Sequence, residues 1–488
     1  MALDHDLLSI QEARDLADAA YQAQLIWKHA TQGEVDRVCA AMAGAAYAAS
    51  ARLGQMAHEE TGFGIAAHKK LKNELGSRIV WESIKEIKTV GVIHHDPQRH
   101  IYDIAWPVGV IAALIPSTNP TSTAMYKAIS AVKARDAIVI APHPSAAKCT
   151  YETVHIMREA AEKAGAPPNL VTCIQHISLP GTQELLKNKR VRLILATGGS
   201  AMVKAAHSVG KPAYGVGPGN VPVYVDRSAD LEKAAHYIIN SKAFDCSTIC
   251  ASEQSVIADK PIAEKLKQLM IAEGAHFANE EQTQRLRTLL FHPNGAINTA
   301  AVGKTAQTVA GLAGFSIPQS ARVIVTPLLI TGKDEPLSRE KLTTVLGWYE
   351  EDGWEAGCER SIELIMFGGR GHTQVIHATD ENVIMAFGLE KPAFRILVNT
   401  MSTLGAVGLT TGLMPSMTLG AGGEGGSITG DNVNVHHLYN IKRLAYETTP
   451  PPQAALRGPT PASAALSNTQ EIESLVQQVV REMINQTK

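Results

Sequence analysis

The pattern of hydrophobic and polar positions changes twice in the first hundred residues. From Ser9 to Ser50 the apolar positions have helical spacing in a stretch rich in Ala and Gln, and broken helical segments continue to about Lys88. From 89 to 106 the pattern becomes β-like on both sides of a polar turn, Asp96-Pro97-Gln98-Arg99. This order predicts amino-terminal helices followed by a β-hairpin.

Short apolar strands and helices then alternate. Strands are predicted at 110–115, 137–141, 170–175, 191–196 and 221–225, with helices at 121–135, 145–163, 182–189 and 200–208. This alternation is typical of an α/β fold with a doubly wound, mostly parallel sheet. A second region begins after Asp226 with a predicted helix at 231–243, and it includes another predicted helix at 339–346.

The fold class indicates where a ligand binds, because doubly wound sheets bind ligands beyond the carboxyl ends of their strands. Three segments follow predicted strands: Pro116, Ser117, Thr118 and Asn119; His143 and Pro144; and Thr197, Gly198, Gly199 and Ser200. The third opens a helix with two glycines, where backbone N–H groups and the helix dipole favour a pyrophosphate. An ordinary glycine-rich turn is the alternative, and no G-x-G-x-x-G fingerprint follows the first strand.

Composition narrows the class of partner. A chain of 488 residues is long enough for two or three domains. Its 45 basic and 47 acidic residues nearly cancel, which argues against nucleic acid or an anionic membrane as the partner and favours small molecules.

The acidic amino terminus and the shortness of the apolar stretch 108–115 lead us to expect a cytoplasmic protein. Six scattered cysteines do not form a disulfide framework.

The segment 240–254 contains the best candidate for a nucleophile. It carries Cys246 and Cys250 in a short polar stretch between a predicted helix and a predicted strand. A reactive thiol must be accessible, which favours such a turn over an apolar run, although a buried structural cysteine is the alternative. Elsewhere in the chain, His94 and His95 are adjacent residues of the predicted hairpin. Their side chains would point to opposite faces of a strand, so we expect no metal site there.

Phe244-Asp245 and the run from Ile249 to Gln254 resemble the nucleophile segment of the CoA-acylating aldehyde dehydrogenases, which include acetaldehyde and propionaldehyde dehydrogenases. The resemblance extends over roughly 12–448 and departs at Cys246, where the family often has Asn. It implies an α/β fold of two doubly wound Rossmann-like domains plus an oligomerisation hairpin. It also implies NAD binding without the usual fingerprint.

The resemblance further implies a domain order. We expect an NAD-binding domain at 1–230 with the oligomerisation hairpin at about 89–106, a catalytic cysteine domain at 231–430, and a terminal oligomerisation strand at 431–448. Such elements build dimers and tetramers in this superfamily, so a homodimer or homotetramer is expected.

Roles for individual residues follow from the same resemblance. Cys250 is the expected nucleophile, and the Asn119 amide with the Cys250 N–H is expected to bind the oxyanion. His372, in Gly-His-Thr, is expected to act as a base or an orienting group, or alternatively is a polar residue that starts a strand. The expected NAD site comprises Pro116, Ser117, Thr118, His143, Pro144, Thr197, Gly198, Gly199, Ser200, Gly217, Pro218 and Gly219.

The acyl acceptor is predicted from a missing carboxylate. Hydrolytic relatives carry a glutamate in a Glu-Leu-Gly-Gly motif, whereas the matching segment here begins at Gly215 and continues Val-Gly-Pro. A water molecule would lack the general base that activates it, whereas a thiol can attack a thioester without such a base. Coenzyme A is therefore the expected acceptor and acyl-CoA the expected product.

The carboxyl-terminal sequence predicts a tethered helix. A Pro/Ala/Ser-rich linker is expected at 449–468. An amphipathic helix is expected at 469–488, with apolar residues Ile472, Leu475, Val476, Val479, Val480, Met483 and Ile484 on one face. This arrangement resembles the encapsulation peptides of bacterial microcompartments and implies shell proteins as partners. Docking on its own oligomer is the alternative.

The sequence thus predicts NAD-dependent, CoA-acylating oxidation of a small aldehyde, acetaldehyde or propionaldehyde, through a cysteine thioester in a bacterial microcompartment. One alternative is a sulfoacetaldehyde-type acylating dehydrogenase, which would need a cation near its pocket. Another is a catalytically silent scaffold or cargo protein.

Overall fold

The computed structural model describes residues 4–456 and 469–485. The chain begins with helices α1 (His5–Trp27), α2 (Gln32–Ala48), α3 (Ser50–Thr61), α4 (Ala66–Glu74) and α5 (Val80–Ile84), with a π-helical turn at Leu75–Ile79 between α4 and α5. Thr31 and Glu34 form a capping box at the start of α2, which pairs N–H groups that the first turn leaves free. The predicted amino-terminal helices are confirmed.

A hairpin follows the helices. Its strands are β1 (Gly91–Asp96) and β2 (Ile101–Pro107). The Asp96 side chain accepts hydrogen bonds from the N–H groups of Gln98 and Arg99, each with a donor–acceptor distance of 3.0 Å. These bonds fix the turn between the strands. The predicted hairpin is therefore present.

The first large sheet has five parallel strands in the order β5-β4-β3-β6-β7. The strands are β3 (Val110–Leu114), β4 (Ala137–Ala141), β5 (Val171–Cys173), β6 (Val191–Thr197) and β7 (Ala213–Val216). The helices between them are α6 (Pro120–Lys133), α7 (Ala147–Lys163), α8 (Leu179–Lys187) and α9 (Ser200–His207).

The second large sheet has seven parallel strands in the order β10-β11-β12-β9-β8-β13-β14. The strands are β8 (Val221–Val225), β9 (Glu253–Asp259), β10 (Ala275–Phe277), β11 (Val323–Pro327), β12 (Val345–Glu351), β13 (Gly371–His377) and β14 (Ala393–Val398). The helices are α10 (Leu231–Ala243), α11 (Ala263–Ala272), α12 (Glu280–Leu290), α13 (Ala306–Leu312), α14 (Trp354–Gly368), α15 (Glu381–Glu390) and α16 (Ser402–Gly405). Two doubly wound parallel sheets confirm the predicted α/β fold class.

The passage between the sheets differs from the prediction. The strand predicted at 221–225 lies in the second sheet, and the fifth strand of the first sheet is β7. A four-residue strand that contains a glycine gives too weak a pattern to recognise in the sequence. The chain changes sheets between Val216 and Val221, one strand before the predicted domain boundary at 230. The domain ranges themselves stay a prediction.

The helix predicted at 339–346 is wrong. Residues 339–344 form an irregular, partly buried segment, and 345–346 are the first residues of β12. The buried Lys341 ammonium donates hydrogen bonds to the carbonyl oxygens of Leu337 and Gln254, over 2.6 and 3.0 Å, and so replaces helical pairing. Leu342 has a φ of 46°, which ends any helix there.

One buried lysine joins the first sheet to its central helix. Lys127 of α6 donates hydrogen bonds from Nζ to the carbonyl oxygens of Leu114 and Leu195, over 2.8 and 3.0 Å. These carbonyls lie near the carboxyl ends of β3 and β6. Lys127 thereby fixes α6 at the edge of the sheet where we expect ligands.

The chain divides into two compact units. The first runs to Ile93 and resumes from Ile104 to Lys442, and the second comprises His94–Asp103 and the chain from Arg443. A third sheet has the order β1-β2-β15, where β15 is Tyr439–Ala445. Within the second unit, Tyr446 N–H donates to the His100 carbonyl over 3.1 Å.

Two helices follow β15 within the described residues, α17 (Gln453–Leu456) and α18 (Thr469–Asn485). The predicted helix is therefore present in α18, while most of the predicted linker and residues 486–488 lie outside the described residues. Five residues of the predicted apolar stripe are exposed, from 49% at Val479 to 67% at Leu475: Ile472, Leu475, Val476, Val479 and Val480. No helix in the described part of the chain is long and apolar enough to cross a membrane.

Candidate active site

A cavity of about 400 Å³ lies at the carboxyl ends of the strands of the first sheet. Eleven predicted site residues line it: Pro116, Ser117, Thr118, Asn119, His143, Thr197, Gly198, Gly199, Gly217, Pro218 and Cys250. Pro144, Gly219 and His372 lie outside this lining, and Ser200 is the first residue of α9. The structure therefore brings the expected nucleophile and most of the expected nucleotide site together.

Backbone groups are accessible at the α9 end of the cavity. Gly199, the residue before α9, has no side chain that could cap the helix. The N–H groups of the first turn therefore have no side-chain partner, and they lie next to the cavity-lining residues Gly198 and Gly199. A Cβ atom at Gly199 or at Gly217 would meet nothing within 4 Å. Both glycines therefore leave open space where a phosphate group can approach the backbone.

The nucleophile segment begins with an unusual backbone. Asp245, Cys246 and Ser247 have φ values of 47°, 51° and 65°, three left-handed residues in succession without a glycine. Such a conformation is costly for side chains with a Cβ and persists only where surrounding contacts hold it. It reverses the chain between α10 and β9 and leads to Cys250.

The Asp245 carboxylate provides those contacts. It accepts hydrogen bonds from the N–H of Ile65 over 2.7 Å, from Lys69 over 3.1 Å and from Thr248 Oγ1 over 2.7 Å, and it also contacts Lys72. Burial alone would raise the pKa of Asp245, but the charges of Lys72 and Lys69 outweigh it and hold the pKa below its usual value. A buried carboxylate with two cations thus anchors the nucleophile turn to α4.

Cys250 is partly exposed, whereas the other five cysteines are buried. Burial of the sulfur among neighbouring groups, with the charge of Glu340 adding to it, nevertheless raises the pKa of the thiol to about 12. At neutral pH the thiol is therefore protonated, and nucleophilic attack needs a base.

Glu340 is the carboxylate that lines the cavity with Cys250. Its Oε1 accepts a hydrogen bond from the N–H of Gly219 over 2.9 Å. Burial raises the pKa of Glu340 to about 7, against that hydrogen bond and the charges of Lys242 and Lys341. A carboxyl group with this pKa can accept a proton near neutral pH.

His372 lies behind Gly219. A Cβ at Gly219 would come within 2.9 Å of the His372 ring, and would also overlap the carbonyl oxygen of Cys250. The ring bonds through Nδ1 to Thr373 Oγ1 over 2.9 Å, and its buried Nε2 has no partner among the described residues. Burial, with the positive charge of Arg395 adding to it, lowers the pKa of His372 to about 3. His372 is therefore neutral at pH 7 and a weaker base than Glu340.

Asn119 lies at the start of α6, directly beside the nucleophile segment. Its Nδ2 donates to the carbonyl oxygen of Thr248 over 3.2 Å and to Thr118 Oγ1 over 3.1 Å. Thr248 is two residues before Cys250, so the amide N–H groups lie on the side of the expected nucleophile. The predicted oxyanion role for Asn119 stays a prediction.

Arg395 holds the glycine-rich segment 420–430 against the second sheet. Its guanidinium donates to the carbonyl oxygens of His372 over 2.7 Å, Gly430 over 3.2 Å and Gly420, and to Asn432 Oδ1 over 2.9 Å. Leu419, which precedes this segment, lines the cavity. The two ends of the segment are thus tied to Arg395, and its start lies beside the cavity.

Apolar side chains form the remaining walls of the cavity. They are Phe63, Ala201, Met202, Val216, Ile249, Ile297, Val302, Leu342, Val407, Met417 and Leu419, and Thr248 and Thr299 also line the cavity. Among the residues that line the cavity in the described part of the chain there is no lysine or arginine. An anionic substrate group would therefore find no side-chain cation in this lining, while the N–H groups at the start of α9 remain available to a phosphate.

Three residues of this site were not found from the sequence. Glu340 stands in the stretch that was interpreted as a helix, and Lys72 belongs to a strongly polar helix that is typical of a solvent-exposed face. Arg395 gave a usable signal, since a charged residue inside an apolar strand pattern indicates a paired buried charge. Across the described residues, no group of three or more His, Cys, Asp or Glu side chains is arranged to hold a metal ion.

Comparison with known proteins identifies the family. The model of the aldehyde dehydrogenase family matches residues 6–285. An aldehyde-alcohol dehydrogenase of Entamoeba histolytica is 40% identical over 424 residues, which is 85% of this chain and 49% of that protein. The chain thus spans about half the length of the first curated relatives it matches. An acetylating succinate-semialdehyde dehydrogenase of Clostridium kluyveri is 37% identical over 89% of this chain and 95% of its own.

Solved structures agree with this assignment. An acetylating aldehyde dehydrogenase from Geobacillus thermoglucosidasius superimposes with a TM-score of 0.91 at 49% identity, over 92% of this chain and 100% of that one. A propionaldehyde dehydrogenase from Rhodopseudomonas palustris, solved with bound CoA and an acylated cysteine, has a TM-score of 0.80 at 26% identity, over 89% and 97%. The chain therefore belongs to the aldehyde dehydrogenase family, a family of oxidoreductases, and its relatives include acetylating members.

Proposed function

We propose that this protein oxidises a small, uncharged aldehyde such as acetaldehyde or propionaldehyde to its acyl-CoA, with NAD as the hydride acceptor. The overall reaction converts aldehyde, NAD⁺ and coenzyme A to acyl-CoA, NADH and a proton. The observation that carries the proposal is one cavity lined by Cys250, Asn119, Glu340 and the open glycine turns after β6 and β7.

The first step needs a thiolate at Cys250. Glu340 is the proposed base, because it lines the same cavity and its pKa is raised to about 7. It would take the thiol proton as the sulfur adds to the aldehyde carbon. His372, the base expected from the family resemblance, is the second candidate, and the low pKa of its buried ring supports an orienting role instead.

Addition of sulfur to the carbonyl places negative charge on the aldehyde oxygen. The Asn119 amide and the Cys250 backbone N–H are the proposed donors to this oxyanion. A nicotinamide bound in the cavity would supply the hydride acceptor that turns the adduct into a thioester on Cys250. Pro116, Ser117, Thr118, His143, Pro144, Thr197, Gly198, Gly199, Ser200, Gly217, Pro218 and Gly219 are the proposed binding residues for that cofactor.

Transfer to coenzyme A rather than to water is supported by the packing around Gly215. A Cβ atom there would lie within 2.6 Å of both His207 Nε2 and Val203 Cγ1, so this position has no room for the glutamate of hydrolytic relatives. The thiol of coenzyme A would attack the thioester carbonyl, the bond from the carbonyl carbon to the Cys250 sulfur would break, and the coenzyme A proton would pass to that sulfur and restore the Cys250 thiol. The proton that Glu340 took in the first step is then the one released. The acylated cysteine of the Rhodopseudomonas palustris enzyme, solved with CoA, is a chemical precedent.

The charge of the cavity supports an uncharged substrate. Sulfoacetaldehyde and succinic semialdehyde, for which two relatives are named, carry an anionic group. Such a group would need its own charge compensation beside that of the nucleotide phosphates, which the N–H groups of α9 would provide, and the described lining residues include no lysine or arginine. We therefore place acetaldehyde and propionaldehyde ahead of the sulfoacetaldehyde alternative.

The decisive experiment measures NADH formation from acetaldehyde, propionaldehyde and sulfoacetaldehyde, with and without coenzyme A. Turnover of the first two that requires coenzyme A and is lost in Cys250→Ala is the expected result. Turnover at the same rate without coenzyme A would reject acyl transfer to a thiol. A chain that neither turns over nor binds NAD in a titration would be a silent scaffold, and replacing NAD by NADP in the same assay tests the cofactor preference.

We further propose that the protein is a homo-oligomer and that α18 binds a microcompartment shell. The exposed apolar stripe of α18, with Leu475 67% and Ile472 63% accessible, supports a docking role. A chain that ends at Pro450 should keep its activity and lose co-localisation with shells. If the shortened chain still enters shells, this role of α18 is wrong, and a change in oligomer size would indicate that the helix docks on its own oligomer.

A further inference from the structure

Lys72 of α4 lies where the oxyanion site and the nucleophile turn meet. Its Nζ donates to Asn119 Oδ1 over 2.6 Å and to Thr248 Oγ1 over 3.2 Å, and it also contacts Asp245 Oδ2. An ammonium group has three N–H donors, so these three acceptors satisfy it completely. The side chain is 4% exposed, which excludes water as a competing partner.

The contact with Asn119 determines which way the amide faces. Burial lowers the pKa of Lys72 to about 8, against the attraction of Asp245, so the ammonium form is present at pH 7. An ammonium can donate and cannot accept, and it therefore requires the oxygen of the Asn119 amide on its own side. The NH₂ group of Asn119 is then directed away from Lys72, toward the carbonyl of Thr248 and Thr118 Oγ1, and an adduct at Cys250 would accept a hydrogen bond in place of one of these two oxygens.

We propose that Lys72 is a positioning residue for the oxyanion site: it holds Asn119 Oδ1, so that the amide N–H groups face the adduct formed at Cys250. The inference rests on the proposed function, because it assigns a supporting group to the oxyanion step. Lys72 acts through Asn119 and is not required to contact the aldehyde, the nucleotide or coenzyme A.

A neighbouring lysine separates this role from simple charge balance. Lys69 is buried on the same helix and pairs with the same carboxylate, Asp245 Oδ2, over 3.1 Å. Its second hydrogen bond goes to the backbone oxygen of Thr118, over 3.2 Å, and not to the Asn119 side chain. Lys69→Met therefore removes a buried charge beside Asp245 while the Lys72 contact to Asn119 stays.

The test is a double-mutant cycle on steady-state oxidation of propionaldehyde. Lys72→Met should lower kcat by about 10- to 100-fold, as expected for a displaced oxyanion donor, with KM for NAD and for coenzyme A within about twofold. In an Asn119→Ala background, Lys72→Met should lower kcat by less than about twofold, because the amide that Lys72 positions is already absent. Lys69→Met should lose less kcat than Lys72→Met.

Two results would overturn the inference: kcat of Lys72→Met within about twofold of the parent, or the same fold loss in the Asn119→Ala background as in the parent. If Lys72→Met fails to fold, the pair Lys72→Met with Asp245→Asn removes both charges and is measured against Asp245→Asn alone, with the same criteria. A parent protein without CoA-dependent NADH formation would reject the proposed function instead, so the two failures are distinguishable.

Discussion

The N–H of Gly219 donates a hydrogen bond to Oε1 of Glu340 over 2.9 Å. Gly219 also lies against the Cys250 carbonyl and the His372 ring, with no space for a side chain. One backbone position thus connects the candidate base to the candidate nucleophile. The protonation of Glu340 and the packing of Gly219 each give a measurable prediction.

Glu340 should impose a pH dependence on turnover. Burial raises its pKa to about 7, so the carboxylate that can accept the Cys250 proton forms as the pH rises through about 7. We expect kcat/KM for the aldehyde to rise between pH 6 and pH 8, and this rise to be lost in Glu340→Gln together with most of the activity. A pH profile of the same shape in the variant would exclude Glu340 as the base.

Glu340 should also make the stability of the fold depend on pH, and here we expect a decrease with rising pH where activity is expected to increase. A carboxyl whose pKa is higher in the folded than in the unfolded state favours folding when protonated, and this contribution declines as the pH rises from about 4.5 to about 7. The free energy of unfolding of Glu340→Gln, relative to that of the parent, should therefore be higher at pH 8 than at pH 5. Denaturant unfolding at both pH values provides the measurement.

Gly219→Ala should abolish activity through displacement of Cys250, because the new methyl group would overlap the Cys250 carbonyl oxygen. We expect a loss of about 100-fold or more in kcat, as small displacements of reacting groups are costly. Gly217→Ala is the matched control, since a methyl group there meets no protein atom within 4 Å. It should raise KM for the nucleotide more than it lowers kcat, and equal effects of the two substitutions would contradict the assigned geometry.

The left-handed backbone at Cys246 predicts an unusual preference for glycine. At a φ of 51°, Cys246→Gly should be more stable than Cys246→Ala by about 1 kcal/mol, because the Cβ is the source of the strain. Cys173, buried in β5, is the control, and there Gly should be less stable than Ala. Urea denaturation of the four variants measures both differences, and the same order at both sites would argue against strain at Cys246.

Arg395→Met should release the glycine-rich segment 420–430. The substitution leaves the buried carbonyl oxygens of His372 and Gly420 without their donor and should cost about 3 kcal/mol or more. We expect faster limited proteolysis within 420–430 and a loss of activity. Arg370→Met, which removes only an exposed hydrogen bond to Met366, should be cut at the parental rate.

The sequence predicted the parts of this protein that depend on local pattern. Alternation of strands and helices indicated the two doubly wound sheets, and the positions after β3 and β6 were found because ligand sites of such sheets lie at strand ends. Cys250 and Asn119 came from the family resemblance, and the structure brings both to one cavity.

The parts that were missed depend on contacts distant in the chain. Lys72 and Asp245 are 173 residues apart, and Gly219 and Glu340 are 121 residues apart. A buried ammonium on a polar helix has the same sequence pattern as an exposed one, because its partners determine its burial. For the same reason, Lys341 held the stretch after 339 out of the predicted helix through carbonyl oxygens that no local pattern reveals.

The distribution of thiols gives the protein a natural reporter position. Five of the six cysteines are buried, and Cys250 alone reaches the cavity. A small alkylating reagent applied to the folded chain should therefore attach one label, and a bound nucleotide or aldehyde should slow that attachment. Site occupancy could then be followed by mass spectrometry in the absence of any turnover, with the label itself at the point where the chemistry is proposed.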